Sequence, residues 1–216
     1  MRLRTLLFDL DGTLTDPKEG ITNSIVYALR RFEIHVDDPD RLKPFIGPPL
    51  AGSFRERFGF SEAEAARAVS YYREYFSEKG LFENELYAGV PELLEELKHT
   101  GFRLLIATSK PAVYAGRIAD HFGIGAYFEH IGGSELDGTR SDKTELIAHL
   151  LGEFGIEAGS AAMIGDRKHD IVGARNNGVA GIGVGYGYGS ERELREAGAS
   201  AYAPDIAALK KMLLAG

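Results

Sequence analysis

An α/β fold with a parallel sheet, interrupted by an inserted all-helical domain, is what the sequence predicts, and two observations predict it. Short apolar runs recur along the chain, at Thr5-Leu6-Leu7-Phe8, Phe102 to Thr108, Tyr127 to Ile131, Ala161 to Ile164 and Ala180 to Val184. From the second run onward they alternate with helical patterns, the signature of a parallel sheet. Between the first and second runs, about Pro17 to Leu86, the periodicity is helical throughout with no convincing strand. The 216 residues suffice for one large domain or a domain with a smaller insertion.

The first run leads into Phe8-Asp9-Leu10-Asp11-Gly12-Thr13-Leu14. Residues two apart on a strand share a face, so Asp9 and Asp11 crowd two like charges together just before Gly12 lets the chain turn. A cation or a catalytic task explains such a pair. The inserted domain then opens with Asp16 as N-cap, Pro17 at the first helical position and Glu19 at the capping-box position, followed by the stripe Ile21, Ile25, Ala28 and Phe32. A second helix is expected near Pro49, with Leu50, Phe54 and Phe58 on one face. A third follows Ser61, with Glu64 completing a capping box and Val69, Tyr72 and Phe76 as its stripe. These aromatic stripes read as the core of the insertion.

Return to the sheet is signalled at Tyr87-Ala88-Gly89-Val90-Pro91, where Pro91 opens a helix carrying Leu93, Leu94 and Leu97 that stops at Gly101. The expected division is therefore 1–15 and 87–216 for the sheet domain and 16–86 for the insertion. The run Gly181 to Gly189, with Ile182, Val184, Tyr186 and Tyr188 between glycines, reads as a flexible loop leaving the sheet.

A formal charge of −7 argues against a partner that is a nucleic acid polymer and against binding anionic membrane by charge. The absence of cysteine excludes disulfides, thiolate catalysis and cysteine-ligated zinc, and points to a reducing cytoplasm. Met1-Arg2-Leu3-Arg4 is basic, but the apolar run behind it is short and ends in Asp9, so it reads as a strand and not a signal peptide. No segment approaches transmembrane length. Oligomeric state is not readable.

Ligands of a parallel sheet lie beyond the carboxyl ends of its strands, so the residues there carry the chemistry. The second run ends in Thr108-Ser109-Lys110, offering hydroxyls and backbone donors for phosphate oxygens. Ser141-Asp142-Lys143-Thr144 opens a helix, and a cation at a helix N-terminus opposes the dipole, so Lys143 suggests a compensating anion; a solvated surface lysine is the competing reading. Ile164-Gly165-Asp166 ends another run, with Asp170 four residues on, the spacing of one helix face. Asp166 is thus a third acid at the edge that holds Asp9 and Asp11, which makes a hard-cation site. Mg²⁺ suits such oxygen donors. Zinc fits poorly, because the six histidines show no H-x-H or H-E-x-x-H spacing.

Taken together, Asp9-x-Asp11-Gly12-Thr13 after a strand, Thr108 ending the next, Lys143 opening a helix and Gly165-Asp166-x-x-x-Asp170 resemble the haloacid dehalogenase superfamily of phosphotransferring hydrolases. Asp16-Pro17-Lys18-Glu19-Gly20, Phe45-Ile46-Gly47-Pro48-Pro49-Leu50 and Ile164-Gly165-Asp166-Arg167 resemble its phosphoglycolate phosphatase and 5′-nucleotidase-like branch. Arg167 stands where the family commonly has a small hydroxyl residue. The resemblance implies a Rossmann-like core with a helical cap, a small phosphorylated metabolite as partner, and an aspartyl-phosphate formed on Asp9. It further implies Asp11 as general acid and base, with its main-chain carbonyl on the metal. Mg²⁺ would be held by Asp9, that carbonyl and Asp166, supported by Asp170, and the phosphate would be gripped by Thr108, Ser109 and Lys143. A phosphomutase using the same two acids, with Arg41, Lys43, Arg55 and Arg57 as a second phosphate pocket, and a catalytically silent binding protein are the alternatives.

Overall fold

The computed structural model describes residues 3–215, so Met1 and Arg2 of the basic opening lie outside the described residues. The chain forms two compact units, one taking the chain as far as Asp16 and again from Leu86 onward, the other Pro17–Glu85.

The first unit begins with β1 (Thr5–Phe8) and the two-residue β2 (Thr15–Asp16). The second unit holds α1 (Lys18–Arg30), a 3₁₀ turn at Pro39–Phe45, α2 (Leu50–Phe58) and α3 (Glu62–Tyr75). Of the expected stripes Ile21, Ile25, Ala28, Phe54, Tyr72 and Phe76 are buried, joined by Phe45, while Phe32, Leu50, Phe58 and Val69 are half-buried. Phe45 and Phe54 meet edge to face at 5.2 Å. α3 starts with the capping box expected of it: Glu64 N–H donates to Ser61 Oγ at 3.3 Å and Ser61 N–H to Glu64 Oε2 at 2.8 Å.

The expected cap of α1 differs. Pro17, not Asp16, occupies the N-cap position and no side chain caps the helix. Asp16 ends β2 instead, and its carboxylate accepts a hydrogen bond from the distant Tyr188 hydroxyl.

The chain returns through β3 (Glu85–Leu86), which pairs with β2. There follow α4 (Val90–His99), β4 (Arg103–Pro111), α5 (Ala112–His121), β5 (His130–Ser134), α6 (Lys143–Glu153), β6 (Ala161–Gly165), α7 (Lys168–Asn176), β7 (Ala180–Val184), α8 (Glu191–Ala197), β8 (Ala201–Ala203) and α9 (Ile206–Leu214). β5 begins three residues later than the apolar run suggested, because Gly125–Tyr127 forms a 3₁₀ turn. β8 had no recognisable run of its own.

The main sheet is parallel throughout, in the order β5-β4-β1-β6-β7-β8, the arrangement of a Rossmann-like core. Alternate residues of its central strands face opposite sides. Leu7, Leu105, Ala107, Ala161 and Met163 pack with Leu146, Ile147 and Leu150 of α6 and Ala174 of α7. Leu6, Phe8, Leu104, Ile106, Ala162 and Ile164 are equally buried, so both faces are covered and the strands are near-continuously apolar. Among the described residues no helix is long and apolar enough to cross a membrane.

Leu7 lies at the middle of this packing with no exposed surface. Leu7→Ala is expected to cost about 2–5 kcal/mol in urea unfolding, the range for a buried leucine truncated to alanine; a loss below about 1 kcal/mol would place Leu7 outside the core.

Candidate active site

Register brings the site together. Phe8 of β1 lies beside Ile106 of β4 and Ile164 of β6, so the residues just past each of these strands emerge at one edge. Asp9 N–H donates to Ile164 O at 2.9 Å, extending the ladder by one residue. β1 ends at Phe8. Asp9 and Asp11 therefore sit on the turn beyond the strand, not on its face as the alternation suggested. Gly12 N–H donates to Thr15 O at 2.7 Å, and Leu14 and Thr15 N–H both donate to Leu10 O. Gly12 has φ +85°, and a Cβ there would fall on the Asp166 carboxylate. Glycine thus serves both the left-handed turn and the approach of the third acid.

Asp9, Asp166 and Asp170 each offer a carboxylate oxygen, all within 4.8 Å of one another, and all three residues are buried. Asp166 precedes α7 and Asp170 lies in its first turn, so the two are not aligned on one helix face, although their carboxylates converge. Lys143 stands among them, only 4 % exposed, which removes the solvated-surface reading. Its Nζ is 2.9 Å from Asp9 Oδ1, 2.6 Å from Asp170 Oδ1 and 2.7 Å from Ala107 O. The ammonium thus faces two carboxylate oxygens and one main-chain carbonyl. The helix N-terminus that carries Lys143 is capped by Asp142, whose Oδ1 accepts from Thr144 N–H at 2.8 Å.

Asp9 Oδ1 also accepts from Leu10 N–H at 2.8 Å. Asp170 Oδ2 accepts from Arg167 N–H at 3.1 Å, and Asp166 Oδ2 from Tyr188 N–H at 2.7 Å. Among the described residues, Asp166 Oδ1, Asp11 Oδ1, Thr13 Oγ1 and Asp170 Oδ1 are buried with no hydrogen-bond partner, Asp170 Oδ1 being ion-paired with Lys143.

Burial dominates the protonation of this cluster. It pushes Asp166 well above the ordinary carboxylate range, reinforced by Asp170 and Asp9. It pushes Asp170 up to about 6 against the opposing pull of Lys143. Asp11 is likewise raised by burial, and the Lys110 ammonium works against the rise. Burial lowers Lys143, but Asp170 and Asp9 outweigh it and hold the ammonium above its usual value.

Thr108 is buried, its Oγ1 accepting from Lys110 N–H at 3.3 Å, and Ser109 is half-buried, its carbonyl accepting from Ser134 Oγ at 2.9 Å. They follow Ala107, the residue whose carbonyl binds Lys143. The structure thus brings Lys143 onto Asp9 and Asp170, gathers Asp166 with those two acids, and sets Thr108 and Ser109 directly after the carbonyl that Lys143 binds. Two residues escaped the sequence reading. Lys110 Nζ lies 2.9 Å from Asp11 Oδ2, with 6 % of its side chain exposed; its position two beyond Thr108 on an extended strand was the available signal. Tyr188 belongs to the glycine-tyrosine run read as a flexible loop; Ala180–Val184 forms the expected strand, β7, but beyond it Gly187, Tyr188 and Gly189 pack on Asp166.

A family model described as haloacid dehalogenase-like hydrolase matches residues 6–184. The chain belongs to that family. A 5′-nucleotidase of Pseudomonas aeruginosa is 54% identical over 213 residues, 99% of this chain and 96% of that protein. The tyrosine-protein kinase PtkA of Mycobacterium tuberculosis is 40% identical over 174 residues, 81% of this chain and 59% of that longer protein. Among solved structures, a predicted phosphatase from Clostridium acetobutylicum superimposes with a TM-score of 0.97 at 46% identity, covering 100% of both chains. This places the chain in the branch of haloacid dehalogenase-like hydrolases that holds the phosphoglycolate phosphatases and 5′-nucleotidase-like proteins.

As a haloacid dehalogenase-like hydrolase, the chain has a donor set fit for a divalent cation. The three clustered donors are carboxylates, Asp166 Oδ1 is a buried acceptor with no donor, and no histidine joins them, a chemistry suited to a hard ion. Arg167, in place of the family's usual hydroxyl residue, directs its Nε–H to Glu193 Oε1 at 3.0 Å.

Removing Lys143 leaves Asp9 and Asp170 buried without their countercharge. Lys143→Met should cost roughly 3–5 kcal/mol at pH 7.5 in chelator, as when one partner of a buried ion pair is deleted. The folded-state pKa of Asp170 is raised to about 6, so as pH falls through that value the carboxyl takes a proton and no longer needs the ammonium. The loss should therefore shrink at pH 5. Urea unfolding at the two pH values decides it: an equal loss at both contradicts the assignment.

Proposed function

We propose that the protein is a Mg²⁺-dependent phosphatase that hydrolyses small phosphate monoesters through an aspartyl-phosphate on Asp9. The observation that carries this reading is the unequal setting of the two acids on the turn after β1. Asp9 is held by the Lys143 ammonium and the Leu10 N–H, fixed for in-line attack. Asp11 is paired with Lys110 and keeps its proton above the ordinary carboxylate range, which suits a proton donor.

In the first step the Asp9 carboxylate forms a bond to phosphorus while the bond from phosphorus to the leaving oxygen breaks, and Asp11 delivers its proton to the departing alkoxide. In the second, Asp11 takes a proton from a water that attacks the same phosphorus, and the bond to Asp9 breaks to release phosphate. Thr108, Ser109 and Lys143 bind the phosphoryl oxygens and stabilise their developing charge. Asp9, Asp166 and the Asp11 carbonyl, with Asp170 in support, would hold Mg²⁺, which would supply positive charge against the transferring group.

Nucleoside monophosphates and phosphoglycolate are the foremost substrates on this reading, with small sugar phosphates behind them. The likeness to the P. aeruginosa 5′-nucleotidase over nearly the whole of both chains favours the nucleotides.

The wild-type protein is expected to release phosphate from p-nitrophenyl phosphate only with Mg²⁺, and a panel of phosphate monoesters ranked by kcat/KM should place nucleoside monophosphates first. Asp9→Asn should abolish turnover while leaving the far-UV circular dichroism unchanged. Equal activity in that variant would remove Asp9 as nucleophile, and a wild-type protein inert toward every monoester would favour a silent binding protein.

A further inference from the structure

The glycine-tyrosine loop after β7 is built onto the cation site by contacts that the reaction itself does not use. Tyr188 N–H donates to Asp166 Oδ2 at 2.7 Å, leaving Oδ1 as the oxygen with no protein partner. The same residue's hydroxyl donates to the Asp16 carboxylate at the end of β2. Two residues earlier along the loop, Tyr186 packs its ring edge-on against Tyr87, with centroids 5.1 Å apart. Tyr87 N–H in turn donates to Leu14 O at 3.2 Å.

The loop backbone fits tightly because the residues between the tyrosines lack side chains. A Cβ on Gly187 would collide with Gly12 O and with the Asp166 side chain, and one on Gly189 would collide with Asp166 O. Two glycines thus let the main chain wrap the acid, and two aromatic side chains pin the wrapped chain to the segments that flank the Asp9-to-Thr15 turn.

We infer that Tyr188 is a positioning residue for the cation: its phenol, anchored on Asp16, holds the loop so that its N–H fixes Asp166 Oδ2 and presents Oδ1 to the ion. The inference rests on the metal reading given above. Hydrogen-bonded partners of a ligating carboxylate set its orientation, and losing one typically costs 10–100-fold in metal affinity or activity. Here the partner is a main-chain N–H that only proline would delete, and proline would also constrain the loop backbone, so the side-chain anchor is the cleaner target for mutation.

The test is Mn²⁺ binding to the substrate-free full chain, followed by electron paramagnetic resonance of the free ion. Tyr188→Phe keeps the ring and the N–H and loses only the anchor; its Kd for Mn²⁺ should rise roughly tenfold, the lower end of that range. Asp16→Ala breaks the same bond from the other side and should match it. Asp16→Asn, which keeps an acceptor oxygen, should stay near wild type. The double variant Tyr188→Phe/Asp16→Ala should be no weaker than either single one, since both remove one interaction.

Melting in chelator should be alike for Tyr188→Phe and wild type, separating positioning from general stability. An unchanged Kd in Tyr188→Phe, or a double variant as weak as the product of the two single effects, would overturn the inference while leaving the metal reading intact. Failure of the wild-type chain to bind Mn²⁺ would overturn both.

Discussion

Four carboxylates, those of Asp9, Asp11, Asp166 and Asp170, are buried at one edge of a parallel sheet against two ammonium groups, Lys110 and Lys143. Like charges a few ångströms apart repel by roughly 4 kcal/mol at an effective dielectric of about 20, so the arrangement is costly wherever the lysines do not reach. Asp166 is the least compensated: among the described residues a main-chain N–H meets one of its oxygens and no hydrogen-bond donor meets the other. A divalent cation held by these oxygens would meet that deficit, and a phosphoryl group would restore the negative charge; on the proposed reading the crowding of the acids and their use share one physical cause.

The fold concentrates this charge without exposing it. β1 lies between β4 and β6; the shared register sets Phe8 level with Ile106 and Ile164, so β1 and β6 end together while β4 runs on to Pro111 and carries Thr108, Ser109 and Lys110 past them. The turn at Gly12 and the loop through Gly187 then bring main chain close enough to Asp166 to exclude side chains. Each acid is fixed by its own donor: Asp9 by Leu10 N–H, Asp170 by Arg167 N–H, Asp166 by Tyr188 N–H. Orientation is thereby settled before any ligand arrives, which is what preorganised electrostatic stabilisation requires.

Much of this was legible in the residues because it is local. Asp9-x-Asp11-Gly12 follows a strand, Ser141-Asp142-Lys143-Thr144 opens a helix, and Asp166 follows another strand, so each signal lies within a few residues of its cause. What was not legible depends on long-range partners. Asp16 before Pro17 has the form of a helix cap, but its carboxylate is taken by Tyr188, 172 residues away. Lys110 reads as one more polar residue after a strand until its side chain is seen on Asp11. The Gly-Tyr run looked like a free loop because only the fold supplies Asp166 and Gly12 for it to pack against. The cap boxes obey the opposite rule: Ser61 and Glu64 satisfy each other and needed no tertiary information.

The central claim is that these acids divide the work, with Asp9 attacking phosphorus and Asp11 moving protons beside it. The most direct measurement is a crystal structure of the protein with Mg²⁺ and beryllofluoride, which mimics a phosphoryl group on a carboxylate. The account predicts beryllium bonded to an Asp9 oxygen, fluorides facing Thr108, Ser109 and Lys143, and the ion on Asp9, Asp166 and the Asp11 carbonyl. Beryllium bonded to Asp11, or an ion bound without Asp166, would contradict it.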